Sequence, residues 1–285
     1  MQYSILSGKI LVLMLCMSVS VQAQKTKTLT ILHTNDVHSR IEALSPELEN
    51  PVSAGNGGFL RIASYVNEVR KETSNLLVFD CGDFSQGTPY YNLFQGDVEI
   101  SLMNTIGYNA GAIGNHEFDF GMDNLMRLCK MANFPVVCAN YDFTETVLEG
   151  IVKPYTIIKK AGLKIGVFGL SPDPDGLVQA SNYEGVKFLN PYEKANETAA
   201  LLRQKGCNVV ICLSHLGMYS STKNPISDTE LVKNTRNIDV ILGGHSHTLL
   251  EELHVYKNLD GKEVYISQMG KSGIYVGRID LTFEK

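Results

Sequence analysis

The sequence of 285 residues contains 44% hydrophobic and 19% charged residues, carries a formal net charge of −5 and lacks tryptophan. This is the composition of an ordinary globular protein, so it excludes a disordered chain, a collagen-like repeat and a coiled coil. The acidic balance argues against a nucleic-acid polymer as the main partner, because nucleic-acid-binding domains are usually basic. Phosphate ligands stay open, since a bound metal ion can supply positive charge locally.

The first segment of the chain, residues 1–23, is typical of a secretory signal peptide. A single charged residue, Lys9, precedes the apolar run Ile10–Met17, and the small-residue site Val21–Ala23 predicts cleavage at its end. A membrane anchor is the alternative, but the run is shorter than the roughly 20 apolar residues that a span requires. We therefore expect an exported protein, periplasmic or extracellular, in which residues 24–285 form one catalytic domain without a membrane span.

The rest of the chain alternates short apolar runs, typical of strands, with longer amphipathic runs. Three helices are predicted most clearly: Gly58–Glu72 from its apolar stripe, Pro191–Gln204 from its initial proline, and a helix opened by the capping box Ser227–Glu230. The strand-like runs are Thr28–His33, Leu76–Phe79, Ala110–Ile113, Val136–Ala139, Leu163–Leu170, Val209–Leu213, Val240–Leu242, Leu253–Val255, Val264–Ser267 and Ile274–Phe283.

This alternation predicts an α/β fold with mainly parallel strand pairing early in the chain and antiparallel strands at the C-terminus. The number of strands is too large for one comfortable open sheet. We therefore expect two β-sheets packed face to face, with helices on the outside.

Five of the predicted strands lead directly into polar side chains of the kind that bind metals. The segments are Asn35–His38, Asp80–Asp83, Gly114–Glu117, Ser214–His215 and Gly243–His247. In open α/β sheets, ligands bind at the carboxyl ends of the strands. Five of the seven histidines lie in these segments, which is more than turn formation alone explains.

These segments offer seven candidate metal ligands with nitrogen and oxygen donors. They are Asp36, His38, Asp83, Asn115, His215, His245 and His247. Such a set suits Zn, Mn, Fe or Co better than Mg or Ca. A tetrahedral site uses about four ligands, so seven predict two divalent metal ions that share a bridging carboxylate. Two-metal sites promote hydrolysis, because they lower the pKa of bound water and hold both oxygens of an in-line displacement.

Other polar residues receive structural interpretations. Asp97 and Asp123 lie near predicted helix starts, and His33 and His254 lie outside the five segments. We expect Glu117 to support the metal ligands without binding metal itself.

The cysteines do not indicate a disulfide framework, because an odd number follows the predicted signal peptide. We interpret them as buried thiols that pack as small apolar groups, and leave a bridge between the last two open. They are Cys81, Cys129, Cys138, Cys207 and Cys212.

Together, the five segments resemble the motifs of the calcineurin-like metallophosphoesterases in order and rough spacing. The strings LHTNDVH at residues 32–38 and GNHEFD at residues 114–119 are similar to those of the 5′-nucleotidase branch. The resemblance implies the metallo-dependent phosphatase fold, a four-layer α/β/β/α sandwich of two mixed β-sheets flanked by helices.

The resemblance also implies residue roles. One metal would bind Asp36, His38, Asp83 and His247, and the other Asp83, Asn115, His215 and His245, with Asp83 bridging. His247 departs from the glutamine found in many nucleotidases, although histidine is chemically competent. His116 would be the catalytic residue that does not bind metal, Asp119 would orient its ring, and a metal-bound hydroxide would be the nucleophile.

The implied activity is that of a metal-dependent phosphoric ester hydrolase, most simply a 5′-nucleotidase-like phosphomonoesterase in nucleotide catabolism. Two-domain members also carry a C-terminal nucleotide-binding domain, which we expect this chain to lack, so the substrate stays open. Alternatives are a phosphodiesterase or nucleotide-sugar hydrolase on the same site, or a metal-binding subunit that works with a separately encoded nucleotide-binding chain. Arg40 is a candidate phosphate contact, with a solvated loop arginine as the alternative.

Overall fold

The computed structural model describes residues 27–222 and 225–283. The predicted signal peptide, residues 1–23, lies outside these ranges. Among the described residues, no helix has the length and apolar character needed to cross a membrane.

Strands and helices alternate through most of the described chain. The strands are β1 (Lys27–Thr34), β2 (Leu76–Asp80), β3 (Ala110–Ala112), β4 (Val136–Val137), β5 (Tyr141–Asp142), β6 (Tyr155–Lys160), β7 (Leu163–Leu170), β8 (Lys187–Phe188), β9 (Val209–Ser214), β10 (Val240–Leu242), β11 (His254–Lys257), β12 (Glu263–Ser267) and β13 (Gly277–Phe283). The α-helices are α1 (Phe59–Glu72), α2 (Pro89–Phe94), α3 (Asp97–Ile106), α4 (Gly121–Met131), α5 (Pro191–Gln204) and α6 (Asp228–Lys233).

Two large mixed sheets organise these strands. The first has the order β13-β1-β2-β3-β4 and the second the order β11-β12-β10-β9-β7-β6, while β5 and β8 form a small separate pair. The central strands β1 to β4 pair in parallel, as do β7, β9 and β10. At the C-terminus, β11 is antiparallel to β12 and β13 is antiparallel to β1, as expected. However, β12 pairs in parallel with β10, which the sequence pattern did not indicate.

Apolar side chains alternate between the two faces of each sheet, as the pleat of a strand requires. In β2, Leu77 and Phe79 face the core between the sheets, while Leu76 and Val78 face helices α1 and α3. In β9, Ile211 faces the same inner core. Separate clusters pack helices α1, α3 and α4 on the first sheet and α5 and α6 on the second. Three interlayer cores confirm the predicted four-layer α/β/β/α sandwich.

The predicted helix boundaries follow local chemistry. Helix α5 begins where the Asn190 side chain accepts hydrogen bonds from two backbone amides, and α6 begins where Ser227 caps Glu230. Gly58 precedes α1 with φ of 88°, and a Cβ there would lie 2.5 Å from the carbonyl oxygen of Glu42. Only glycine fits that entry to the helix.

Polar and sulfur groups in the core keep the structural roles expected of them. His33 is fully buried, and its Nε2 lies 2.9 Å from Ser267 Oγ of β12, so the imidazole links the two sheets. His254 lies in β11, outside the loops that carry the five histidines of the predicted site region. The five cysteines of the described chain are free, which rules out a bridge between Cys207 and Cys212 in this structure.

Candidate metal centre

The loops after β1, β2, β3, β9 and β10 meet at one edge of the sandwich and join the two sheets. The backbone amides of Asp36 and His38 each donate a 3.0 Å hydrogen bond to a carbonyl of the Gly82–Asp83 turn. The His245 amide, from the second sheet, donates to Asp36 Oδ2 at 3.0 Å. This edge is where the sequence placed the site, and all seven predicted ligands lie there.

Asp36, His38 and His247 form the most exposed of three groups of side chains that could hold a metal ion. His38 Nε2 lies 3.0 Å from His247 Nε2, and Asp36 Oδ1 lies 3.8 and 3.3 Å from these two nitrogens. Two imidazole nitrogens and a carboxylate oxygen that converge in this way form a donor set suited to a divalent transition metal.

Asp83, His215 and His245 form the second, more deeply buried cluster. His215 Nε2 lies 3.0 Å from Asp83 Oδ2, while its Nδ1 donates to the Cys81 carbonyl at 2.7 Å. That bond orients the ring and directs the buried Nε2 at the Asp83 carboxylate. A metal-binding histidine commonly donates its other ring nitrogen to a backbone carbonyl in this way. Asn115 Oδ1 completes the cluster, 3.0 Å from His245 Nδ1.

Asp83 belongs to both regions of the site. One carboxylate oxygen of Asp83 lies within 4.8 Å of ring nitrogens of His215 and His245, and one lies within the same distance of ring nitrogens of His38 and His116. This position between the clusters fits the predicted bridging carboxylate. The donor set therefore fits two divalent cations, with the ligand roles of the seven residues standing as a prediction.

The pKa values of the buried histidines and carboxylates in the site depend on one another. Burial alone lowers the pKa of His215, but the Asp83 carboxylate outweighs burial and raises it to about 10. The same pair holds the pKa of Asp83 well below its usual range despite burial. Burial lowers the pKa of His245 to about 4, and it also lowers that of His38. His38 and His245 are therefore neutral at pH 7 and have lone pairs ready for a cation.

The backbone of the site is unusual. Five of the candidate ligands have positive φ angles, a region that costs non-glycine residues about 1–3 kcal/mol each. They are Asp36 (50°), His38 (50°), Asp83 (54°), His245 (71°) and His247 (54°). Strain of this kind persists only where the surrounding structure holds it in place, and five of the twelve non-glycine residues with positive φ in the described chain are candidate ligands.

His116 faces the more exposed cluster from the neighbouring loop. Its ring centroid lies 5.5 Å from that of His38, and its backbone amide donates to Asp83 Oδ1 at 2.9 Å. Its Nδ1 lies 3.0 Å from Asp119 Oδ2. The orienting role of Asp119 stays a prediction. Burial lowers the pKa of His116, but the Asp119 hydrogen bond and nearby carboxylates outweigh it and raise the pKa above its ordinary value. The ring is therefore suited to donate a proton or hydrogen bond.

Glu117 supports the ligands, as the sequence indicated. Its carboxylate is buried and accepts hydrogen bonds from the amides of Asp83 at 2.9 Å, Ser85 at 3.1 Å and Gly114 at 2.6 Å. These bonds fix the turns that carry Asp83 and Asn115. Burial raises the pKa of Glu117 to about 7.

Two buried amides with a similar task were missed in the sequence. The Asn35 side chain donates to Asp36 Oδ2, and the Gln268 side chain holds the loop that carries His245 and His247. Gln268 directly follows the apolar run Val264–Ser267, so it carries the same strand-end signal that identified the other loops.

Contact between Arg40 and the phosphate stays a prediction. The residue is half-buried rather than fully solvated, and its Nε atom is buried without a hydrogen-bond partner in the described chain. Its carbonyl accepts from the Phe59 amide at 2.8 Å, so its backbone is fixed at the start of α1.

With this fold and this cluster of ligands, the chain belongs to the calcineurin-like phosphoesterase family, whose profile matches residues 29–249. A snake venom 5′-nucleotidase from Gloydius brevicauda is 32% identical over 274 residues, covering 90% of this chain and 45% of the relative. The similarity confirms the 5′-nucleotidase branch indicated by the motifs.

Two solved structures extend the comparison. A 5′-nucleotidase precursor from Thermus thermophilus superposes with a TM-score of 0.80 and 36% identity, covering 90% of this chain and 52% of that one. The NAD nucleotidase of Haemophilus influenzae superposes with a TM-score of 0.76 and 30% identity, covering 91% and 48%. The chain thus spans about half the length of the curated relatives it matches.

Proposed function

We propose that this protein is an exported phosphoric ester hydrolase that uses two divalent metal ions to release phosphate from nucleotide 5′-monoesters. The observation that carries the proposal is the pair of histidine–carboxylate clusters on either side of Asp83, with His116 facing them. Similarity to named 5′-nucleotidases supports the nucleotide substrate. The predicted signal peptide supports export to the periplasm or the exterior.

The metals, when bound, would activate water and neutralise the charge of the phosphoryl group. Asp36, His38, Asp83 and His247 would hold one ion, and Asp83, Asn115, His215 and His245 would hold the other.

The exposed fractions of the side chains in the site indicate the side from which substrate approaches. The side chains of His116, Asp119 and His247 are 30%, 34% and 35% exposed, whereas those of His215 and Asp83 are 0% and 3% exposed. The phosphate ester therefore enters beside His116. The protonated ring, held by Asp119, donates to a phosphoryl oxygen or to the leaving oxygen as negative charge builds there.

A second candidate function is hydrolysis of phosphodiesters or of nucleotide pyrophosphates such as nucleotide sugars. Similarity to a NAD nucleotidase favours it, since the same metal site can serve either bond. A third candidate is a metal-binding subunit that works with a separate nucleotide-binding chain.

A substrate panel tests these proposals. Purified protein, stripped with a chelator and reloaded with Zn²⁺, Mn²⁺ or Co²⁺, is assayed with nucleoside 5′-monophosphates, cyclic nucleotides, nucleotide sugars and p-nitrophenyl phosphate. We expect metal-dependent phosphate release, fastest with the 5′-monophosphates. Preference for the diesters or nucleotide sugars would favour the second candidate. Full metal occupancy without turnover of any phosphoester would contradict the enzyme proposal.

A further inference from the structure

Gln268 is a fully buried amide that spans the loop between β10 and β11. Its Nε2 donates to the Gly244 carbonyl at 2.9 Å, and its Oε1 accepts from the Thr248 amide at 2.6 Å and from Ser246 Oγ at 2.9 Å. The three bonds bracket the segment that carries His245 and His247. An amide side chain suits this task, because its nitrogen donates while its oxygen accepts two hydrogen bonds.

The bracketed segment needs external support. His245 and His247 have φ angles of 71° and 54°, which histidine adopts at a cost. A free loop would relax out of this conformation, and both imidazoles would then turn away from the clusters. The three hydrogen bonds of Gln268 oppose that relaxation.

The residues that directly follow Gln268 also make hydrogen bonds to the loop after β1 of the first sheet. Just after Gln268, the Met269 amide donates to Asn35 Oδ1 at 2.9 Å, and Asn35 Nδ2 donates to the Gly270 carbonyl and to Asp36 Oδ2, both at 2.7 Å. Residues 268–270 therefore contact the histidine loop on one side and the support of Asp36 on the other. The segment contributes no candidate ligand itself.

We propose that Gln268 is a positioning residue of the metal centre. It fixes the turn at His245 and His247 so that one imidazole faces each cluster. This inference rests on the proposed two-metal site, and it assigns to Gln268 a share of the metal affinity. Loss of a group that orients ligands typically weakens metal binding by about 10–100-fold.

The test compares two variants that each remove a buried amide. Gln268→Met keeps the side-chain volume and removes the three hydrogen bonds. Asn140→Leu is the matched control, because Asn140 is also fully buried, bonds to the Ser171 backbone in both directions at 2.7 and 2.8 Å, and is outside the ligand loops. Zn²⁺ affinity is measured by competition with a chromophoric chelator, and apo-protein stability by thermal melting.

We expect both variants to lower the melting temperature of the apo protein. Only Gln268→Met should weaken Zn²⁺ binding, by about 10–100-fold, and should lose most of the melting-temperature rise that Zn²⁺ produces. Equal Zn²⁺ affinity in Gln268→Met and wild type would overturn the positioning role. A wild-type protein that binds no metal would overturn the metal centre itself, so the two failures are distinguishable.

A milder variant keeps the test decisive if Gln268→Met does not fold. Ser246→Ala removes the hydroxyl of an exposed serine that donates to Gln268 Oε1 and also accepts from the Met218 amide at 3.0 Å. We expect about a 10-fold weaker Zn²⁺ affinity. The apo protein should fold and melt somewhat lower, because the buried Met218 amide loses its acceptor. Unchanged affinity in this variant would also overturn the proposal.

Discussion

Adding a single methyl group at Gly114, by substitution with alanine, should disable the predicted metal site. A Cβ at this position would lie 2.2 Å from Asp83 Oδ1 and 2.7 Å from the Asp83 backbone nitrogen. Ordinary van der Waals contact begins at 3.4 Å, so the Asp83 carboxylate must move by about 1.2 Å. It cannot swing away freely, because Oδ1 accepts from the His116 amide and the Asp83 amide is held by Glu117.

The displacement can be compared with what a metal site tolerates. Metal–ligand distances vary by only about 0.2 Å, which is several times less than the movement that Gly114→Ala forces on Asp83, the predicted shared ligand. We therefore expect Gly114→Ala to lose at least one metal ion and most phosphatase activity. The overpacking should also cost about 1–3 kcal/mol of stability.

Gly111→Ala is the matched control in the strand that leads to this loop. Its Cβ would lie 3.3 Å from the Phe134 ring, a contact that a small shift relieves. Metal content is measured by mass spectrometry of the gel-filtered protein, together with activity and thermal melting. Gly114→Ala protein with two metals and wild-type activity would refute the reasoning.

Two further predictions test other parts of the site and the core. His116→Ala should retain both metals but lose about 10²–10⁴-fold in turnover, because it removes a donor of a proton or hydrogen bond and no predicted metal ligand. Wild-type kinetics in this variant would show that His116 has no role in the mechanism. His33→Gln tests the link between the sheets. Burial lowers the pKa of His33 to about 3 from an ordinary value of 6.5. The neutral imidazole therefore stabilises the fold fully above pH 6.5, and this contribution to stability declines as the pH falls toward 3. The stability advantage of wild type over the variant should shrink by about 2 kcal/mol between pH 7.5 and pH 5 in urea melts, and a pH-independent difference would contradict it.

The strand-end pattern predicted which side chains lie together, because parallel strands deliver their carboxyl ends to the same edge of a sheet. Asp36 and His245 come from different sheets, and the residue types after the strands, with the resemblance to phosphoesterase motifs, predicted that they share one site. What it could not provide was the conformation of each ligand, since the positive φ of His38 or Asp83 depends on hydrogen bonds from distant loops.

The elements that the sequence pattern missed are those with little local signal. Strands β5 and β8 contain two residues each, and β6 is a half-buried edge strand whose two lysines weaken its apolar character. The parallel pairing of β12 with β10 is a long-range event that local periodicity does not encode. Gln268 was overlooked because amides are common at strand ends, and only its three partners reveal its task.

The central claim is that this edge of the sandwich holds two cations that share Asp83. The most direct test is a crystal structure of the protein loaded with Zn²⁺ or Mn²⁺, with the ions located by anomalous scattering. We expect two peaks about 3.5–4 Å apart, both within coordinating distance of Asp83. A single peak, or two peaks of which only one contacts Asp83, would contradict it.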